Sequence, residues 1–295
     1  MSGSRAAETG RGGANTIRWG AFLAPPLLLS LALLVLPQAS FLWMSFHEDL
    51  GLGQSSETAS LVNYVRIVTD PFYLHSIWLT VYLSAAAAAI GLVLGFATAY
   101  ALARLGGWRA RLALSLILTT SLITIVIKLM GLNLMLGASG LVNQALLAVG
   151  AVASPVAFVN NELGVLIGLV QYTLPILVLM LFGVVQTIPV GLEEAAAIHG
   201  ASRAAIFARV ILPLARTGLI GGGLIAFNMG MGAFTSAVLL GGGRVLTMPV
   251  LIQQKMIQSS EYGMGAALST VLLVLVFTVN IVVATCVTRR RGSRP

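Results

Sequence analysis

Glu193-Glu194-Ala195-Ala196-Ala197-Ile198-His199-Gly200-Ala201-Ser202-Arg203, running on to Val210-Ile211-Leu212-Pro213-Leu214-Ala215-Arg216, decides how the rest of the chain is laid out. Arg203, Arg209 and Arg216 alone would cost about 7 to 10 kcal/mol at the centre of a bilayer, at about 2.5 to 3.5 each. The segment therefore sits in water, although the sequence on both sides is apolar. Its local signals are those of two short helices. Glu193 and Glu194 suit the positive end of a helix, Gly200 breaks the run, Ser202 caps a second start and Pro213 ends it. The product is an elbow.

Around this elbow the chain is too apolar for a soluble domain. Hydrophobic residues make up 58% of the 295 residues and charged residues 9%, with a mean hydropathy of +0.96. Soluble domains carry about a quarter charged residues, so an all-α polytopic membrane protein is expected. The net charge of +8 comes from basic residues beside apolar runs, which speaks for membrane topology and against nucleic-acid binding. Cys286 is the only cysteine, so there is no intrachain disulfide.

Spans of about 20 apolar residues are expected at 21–46, 76–103, 112–128, 163–188, 217–240 and 263–287, with the elbow filling 189–216. The first carries Pro25 and Pro26 near its entry and reads as a retained span within a membrane domain of residues 19–288, not as a cleaved signal. Residues 1–18 have too little apolar content to order and are predicted to form a disordered tail, and 289–295 form a basic one. His47, Glu48 and Asp49 fall in an outside loop; three neighbours do not share one face, so no metal site is assigned to them. Residues 129–161, rich in Gly, Ala and Asn, are predicted to hold a short re-entrant or surface helix. This scheme puts thirteen Lys and Arg residues on one side and Arg66, Lys128, Arg244 and Lys255 on the other, which places both termini in the cytoplasm.

The elbow resembles the cytoplasmic coupling loop of ABC importer permeases, in which Glu-Ala-Ala, three residues, Gly and nine residues precede Ile-x-Leu-Pro. Here these are Glu194-Ala195-Ala196, Gly200 and Val210-Ile211-Leu212-Pro213, with Val210 in place of the usual Ile. Nearly the whole chain after the tail is similar to the spermidine/putrescine branch of that family. Asn63-Tyr64, Asp70-Pro71 and Thr80 look like its outer loop and second-span entry, and the run from Gly95 to Arg104 like its second-span exit. Gly140-Leu141-Val142-Asn143 and Leu240-Gly241-Gly242 match two further short signatures. One departure is Lys128-Leu129-Met130-Gly131-Leu132, where the branch carries Arg and an aromatic-rich stretch ending in Trp.

The resemblance implies a type I importer permease fold, six transmembrane helices with a cytoplasmic coupling helix between the fourth and fifth, in a bacterial inner (plasma) membrane. It implies an ATP-driven importer working by alternating access on a small solute, polyamine-like or another small organic molecule. The implied partners are two copies of an ABC ATPase, a second permease subunit that is either a related chain or an identical one, a periplasmic or lipid-anchored solute-binding protein, and membrane lipid. The chain has no Gly-x-x-x-x-Gly-Lys-Ser/Thr loop, so ATP and Mg belong to the partner ATPase; this chain is read as binding no cofactor and catalysing no reaction. Glu193, Glu194, Ala195, Ala196, Ile198, His199, Gly200, Ala201 and Phe207 are the implied ATPase-coupling residues.

Polar residues inside spans are costly in lipid and mark function by default. Lys128, Asn133, Gln171, Tyr172 and Asn228 are accordingly candidates for the translocation path, and Asn280 is a further polar residue within a span. No Asp or Glu lies in the middle of a span, which leaves the charge of the cargo open. Two other functions make different demands on the sequence. A stand-alone channel or secondary transporter predicts buried ionisable relays, and a membrane enzyme predicts a nucleophile and base or a metal cluster at the membrane edge. The sequence offers Lys128 near a span end for the first and scattered histidines for the second.

Overall fold

The break at Gly200 recurs on a larger scale, because most of the crossings are bounded or interrupted by short irregular stretches. A computed structural model describes residues 12–51 and 53–292, with side chains over 23–51 and 53–286. The elements run α1 (Gly12–Met44), β1 (His47–Gly51), β2 (Gln54–Ala59), α2 (Val62–Thr69), α3 (Pro71–Leu105), α4 (Gly107–Leu122), α5 (Ile125–Leu136), α6 (Leu141–Ala148) and α7 (Glu162–Gln186). The elbow follows as α8 (Val190–Ile198), α9 (Arg203–Ile206) and a π-turn, Phe207–Ile211. Then come α10 (Leu212–Met231), α11 (Phe234–Gly241), α12 (Met248–Gln253), a second π-turn, Gln254–Gln258, and α13 (Tyr262–Gly292). Of the predicted tails, residues 1–11 and 293–295 lie outside the described residues; 12–18 and 289–292 belong to α1 and α13.

Among the described residues six helical stretches are long and apolar enough to cross a membrane: Leu23–Met44, Pro71–Leu105, Ile125–Ala148, Glu162–Gln186, Arg203–Met231 and Tyr262–Cys286. The third differs from the predicted 112–128. Helix stops at Leu122 and restarts at Ile125, with Ile123 and Thr124 extended (ψ 134° and 141°). Five consecutive β-branched residues, Ile123 to Ile127, crowd a helical backbone, and this run is where the helix gives way. α4 leaves the elbow end of the bundle, where α3 ends, and its 16 residues cover about 24 Å. α5 continues toward the opposite end, its Leu129 fully buried beside Gly168 near the start of α7. α4 and α5 thus follow one another from the elbow end toward the opposite end of the bundle. Beyond them, Asn143 of α6 bonds Gly137 O, Val156 O and Val156 N and so fixes the segment 149–161.

The core is the three-helix seam of α3, α7 and α10, filled by Phe96, Ala99, Leu177, Leu181, Ile211, Ala226, Phe227 and Met231. Close approach depends on missing side chains. A Cβ on Gly91 or Gly95 of α3 would lie 2.9 or 3.1 Å from Leu177, and one on Gly218 of α10 2.6 Å from Val184. Small residues at helix crossings replace the hydrophobic drive that lipid cannot supply.

At the end opposite the elbow, β1 and β2 pair as an antiparallel hairpin, with His47 opposite Ala59 and Asp49 opposite Ser55. The predicted solvated loop at His47-Glu48-Asp49 is therefore a half-buried strand with a structural task. Asp49 accepts from the backbone N–H groups of Gly263 (2.9 Å) and Met264 (2.8 Å) and caps α13 at its positive end. Asn63 is buried and donates to Ser45 O and His47 O, and Thr80 accepts from Met248 N–H.

Candidate functional site

Pro189 ends the turn after α7 and pre-sets the first residue of α8. α8 closes on a glycine turn: Ala201 N–H bonds Ala196 O (3.1 Å), Gly200 N–H bonds Ala197 O (2.9 Å), and Gly200 stands at φ +81°. This double bond pattern with a left-handed residue satisfies the orphan carbonyls of the last helical turn. A Cβ at Gly200 would meet nothing within 4 Å, so backbone conformation alone asks for glycine there. Ser202 caps the second arm by accepting from Ala205 N–H (3.3 Å). Pro213 does not end that arm. It sits in the first turn of α10, where its missing N–H costs nothing, and the chain passes from the elbow into the membrane helix through the π-turn.

The residues expected to act together divide between two faces. Glu194, Ala195, Ile198, His199 and Gly200 are exposed, Ile198 at 85%, while Ala196 and Ala201 are half-buried. His199 bonds Ala195 O one turn back (2.8 Å). Glu193 and Phe207, expected on the outer contact face, turn inward instead. One Glu193 oxygen accepts from Tyr100 Oη (2.8 Å) and the other from Arg104 Nε (2.7 Å), with Arg104 Nη2 also close. Arg104 further donates to Ile188 O (3.3 Å) and lies 5.7 Å from the centre of the Tyr100 ring. Phe207 packs its ring 5.5 Å from those of both Phe96 and Tyr100. The reason is geometric: Glu193, at the end of the first turn of α8, faces the end of α3, and Glu194 lies about 100° further around the helix.

The path candidates do not form one cluster. Asn228 of α10 and Asn280 of α13 exchange two hydrogen bonds (3.1 and 3.0 Å) and serve as a tie between helices. Asn133 donates to Leu239 O of α11 (2.7 Å). Tyr172 and Lys128 are half-buried on α7 and α5. Gln171 stands apart, because its Oε1 is buried without a hydrogen-bond partner and Pro175 removes the N–H that its own carbonyl would otherwise meet. Tyr100 and Arg104 were missed as site residues. They stand four apart on the last turns of α3, inside the run from Gly95 to Arg104 that carries the family resemblance, but nothing local marks them as partners of Glu193.

With this geometry in view, comparison with known proteins is specific. Residues 91–292 match the family described as "binding-protein-dependent transport system inner membrane component". The chain is 31% identical over 241 residues to the spermidine/putrescine transport system permease protein PotB of Haemophilus influenzae, covering 82% of this chain and 84% of that protein. To the PotB of Escherichia coli K12 it is 30% identical over 254 residues, covering 86% and 87%. Among solved structures, a bacterial ABC transporter that imports the acidic polysaccharide alginate superposes with a TM-score of 0.76 at 18% identity, over 95% of this chain and 98% of that one. A chain of the MetNI methionine ABC transporter gives 0.55 at 19%, over 75% and 96%. The six apolar crossings and the seam of α3, α7 and α10 are thus those of an importer's membrane subunit, and the chain belongs to the family of binding-protein-dependent inner-membrane permeases of ABC importers.

Proposed function

We propose that the exposed face of the elbow is the cytoplasmic docking surface for an ABC ATPase, and that this chain with a second permease subunit moves a small solute inward by alternating access. The observation that carries this reading is the division of α8: the helix buries no residue of its own, yet it is closed by a formed glycine turn and presents Glu194, Ala195 and Ile198 outward. An ordered helix with a bare apolar and acidic face is a contact waiting for a partner. The distribution of Lys and Arg supports cytoplasmic placement of the elbow and of both termini.

A polyamine-like cation is the cargo favoured by the relatives near 30% identity. Selectivity then rests mainly with a periplasmic or lipid-anchored binding protein, since no carboxylate sits in the middle of a span. Purification in mild detergent tests the assignment. An ATPase is expected to co-purify in two copies with the permease pair, and repeated purification of the intact chain without one would refute it. Mass spectrometry of the ligand carried by the partner binding protein identifies the cargo, and a solute without amines would remove the polyamine reading.

A further inference from the structure

α8 has no hydrophobic anchor. None of its residues is buried, and among the described residues the side-chain bonds tying it to the membrane helices are those of Glu193 to Tyr100 and Arg104. The second arm of the elbow reaches the same place, for Phe207 lies against Phe96 and Tyr100. Tyr100 is therefore shared by both arms, bonded by one through its hydroxyl and met edge-on by a ring of the other. Arg104 closes the arrangement by also holding the Ile188 carbonyl in the turn between α7 and α8. The acid and the guanidinium are 15% and 19% exposed, so water screens the pair little. α3 in turn lies along α7 and α10 through the whole seam.

We propose that Tyr100 and Arg104 on α3 are positioning residues that lock the elbow to α3, so that a displacement of α8 by its partner is delivered to the opposite end of the bundle through α3. This rests on the docking role proposed above. The chain connections at either end of the elbow are a three-residue turn and a π-turn, both easily bent; the latch makes the elbow and α3 one body.

The test uses the intact complex of permeases and co-purified ATPase, read by hydrogen exchange with and without a non-hydrolysable ATP analogue, which requires no knowledge of the cargo. In the parent complex the analogue is expected to change exchange both at the elbow and at the hairpin end, in β1, β2 and residues 255–262. Arg104→Glu and Glu193→Arg, each alone, should keep the response at the elbow and shrink that at the hairpin end by about tenfold, and the double exchange should restore it. Tyr100→Phe, which removes one hydroxyl and no packing, should weaken it by about two- to threefold. Full propagation in both single variants overturns the latch while leaving the docking role intact, and so does a loss that the double exchange fails to rescue. Absence of an ATPase from the parent complex, or no response at its elbow, overturns the docking role and the latch with it.

Discussion

The two ends of the bundle treat their carboxylates in opposite ways. At the hairpin end Asp49 spends both oxygens on the N–H groups that open α13, and the neighbouring polar groups, Asn63 and Thr80, are satisfied within the chain. At the elbow Glu193 is consumed internally but Glu194, the next residue, is left facing outward with Ile198 beside it. One end is finished as a piece of structure. The other is half finished, and its remaining face is chemistry held in reserve for a second molecule.

That contrast can be broken most forcefully at the elbow. Glu194→Lys should reduce uptake at least about a hundredfold while leaving the melting temperature of the purified chain within about 2 °C of the parent, since the site does not touch the core; Gly200→Trp should reduce uptake as much but also cost about 1 to 2 kcal/mol, because its left-handed φ strains any L side chain. Normal transport by both would remove the outward face from the mechanism. The reverse pattern is expected of Asp49→Ala: a loss of about 1.5 to 3 kcal/mol in stability, seen in thermal melting in detergent, with uptake per folded chain unchanged. Asn228→Leu, which breaks the tie to Asn280, should cost about 0.6 to 2 kcal/mol by the same measurement; a larger loss of uptake than of stability would return Asn228 to the path.

The smallest effect is at Lys255. Burial, the largest single influence, lowers its pKa, but Glu261 and Tyr73 together outweigh it, and the pKa stands above the ordinary 10.5. A raised pKa for a cation means stability that is complete below the unfolded value and lost as pH rises through the folded one. Lys255→Ala should therefore melt slightly earlier than the parent at pH 7 and 9 alike, and the difference should shrink as the pH climbs past the ordinary lysine range.

Crossings and elbow were legible in the sequence because lipid forbids what the elbow contains: three arginines in 14 residues, framed by apolar runs, leave one arrangement. Gly200 was legible for a similar reason, since a break needs a residue free to turn left-handed. The two faces of α8 were not. Glu193 and Glu194 are alike in any pattern, and only the position of α3, 89 residues away in sequence at Arg104, separates them. Asn228 and Asn280 looked like path residues because each is polar and in lipid, while their mutual bonding spans 52 residues and no local signal announces it. The stop of α4 at Leu122 coincides with the start of the β-branched run, but the apolar pattern continues through it without interruption and gives no boundary.

That break also restricts what surrounds the working protein. Helix ends leave amides and carbonyls without partners, and α5 begins with no side chain capping it, after about 24 Å of helix from the elbow end. Hydrocarbon has nothing to offer such groups, and oily surroundings tolerate irregular backbone only behind protein or along an aqueous lumen. Leu122, 83% exposed in the single chain, is therefore expected to be shielded from lipid in the assembly. A nitroxide at that position should be reached poorly by dissolved oxygen from the bilayer interior, in contrast to one at Val93 on the open side of α3.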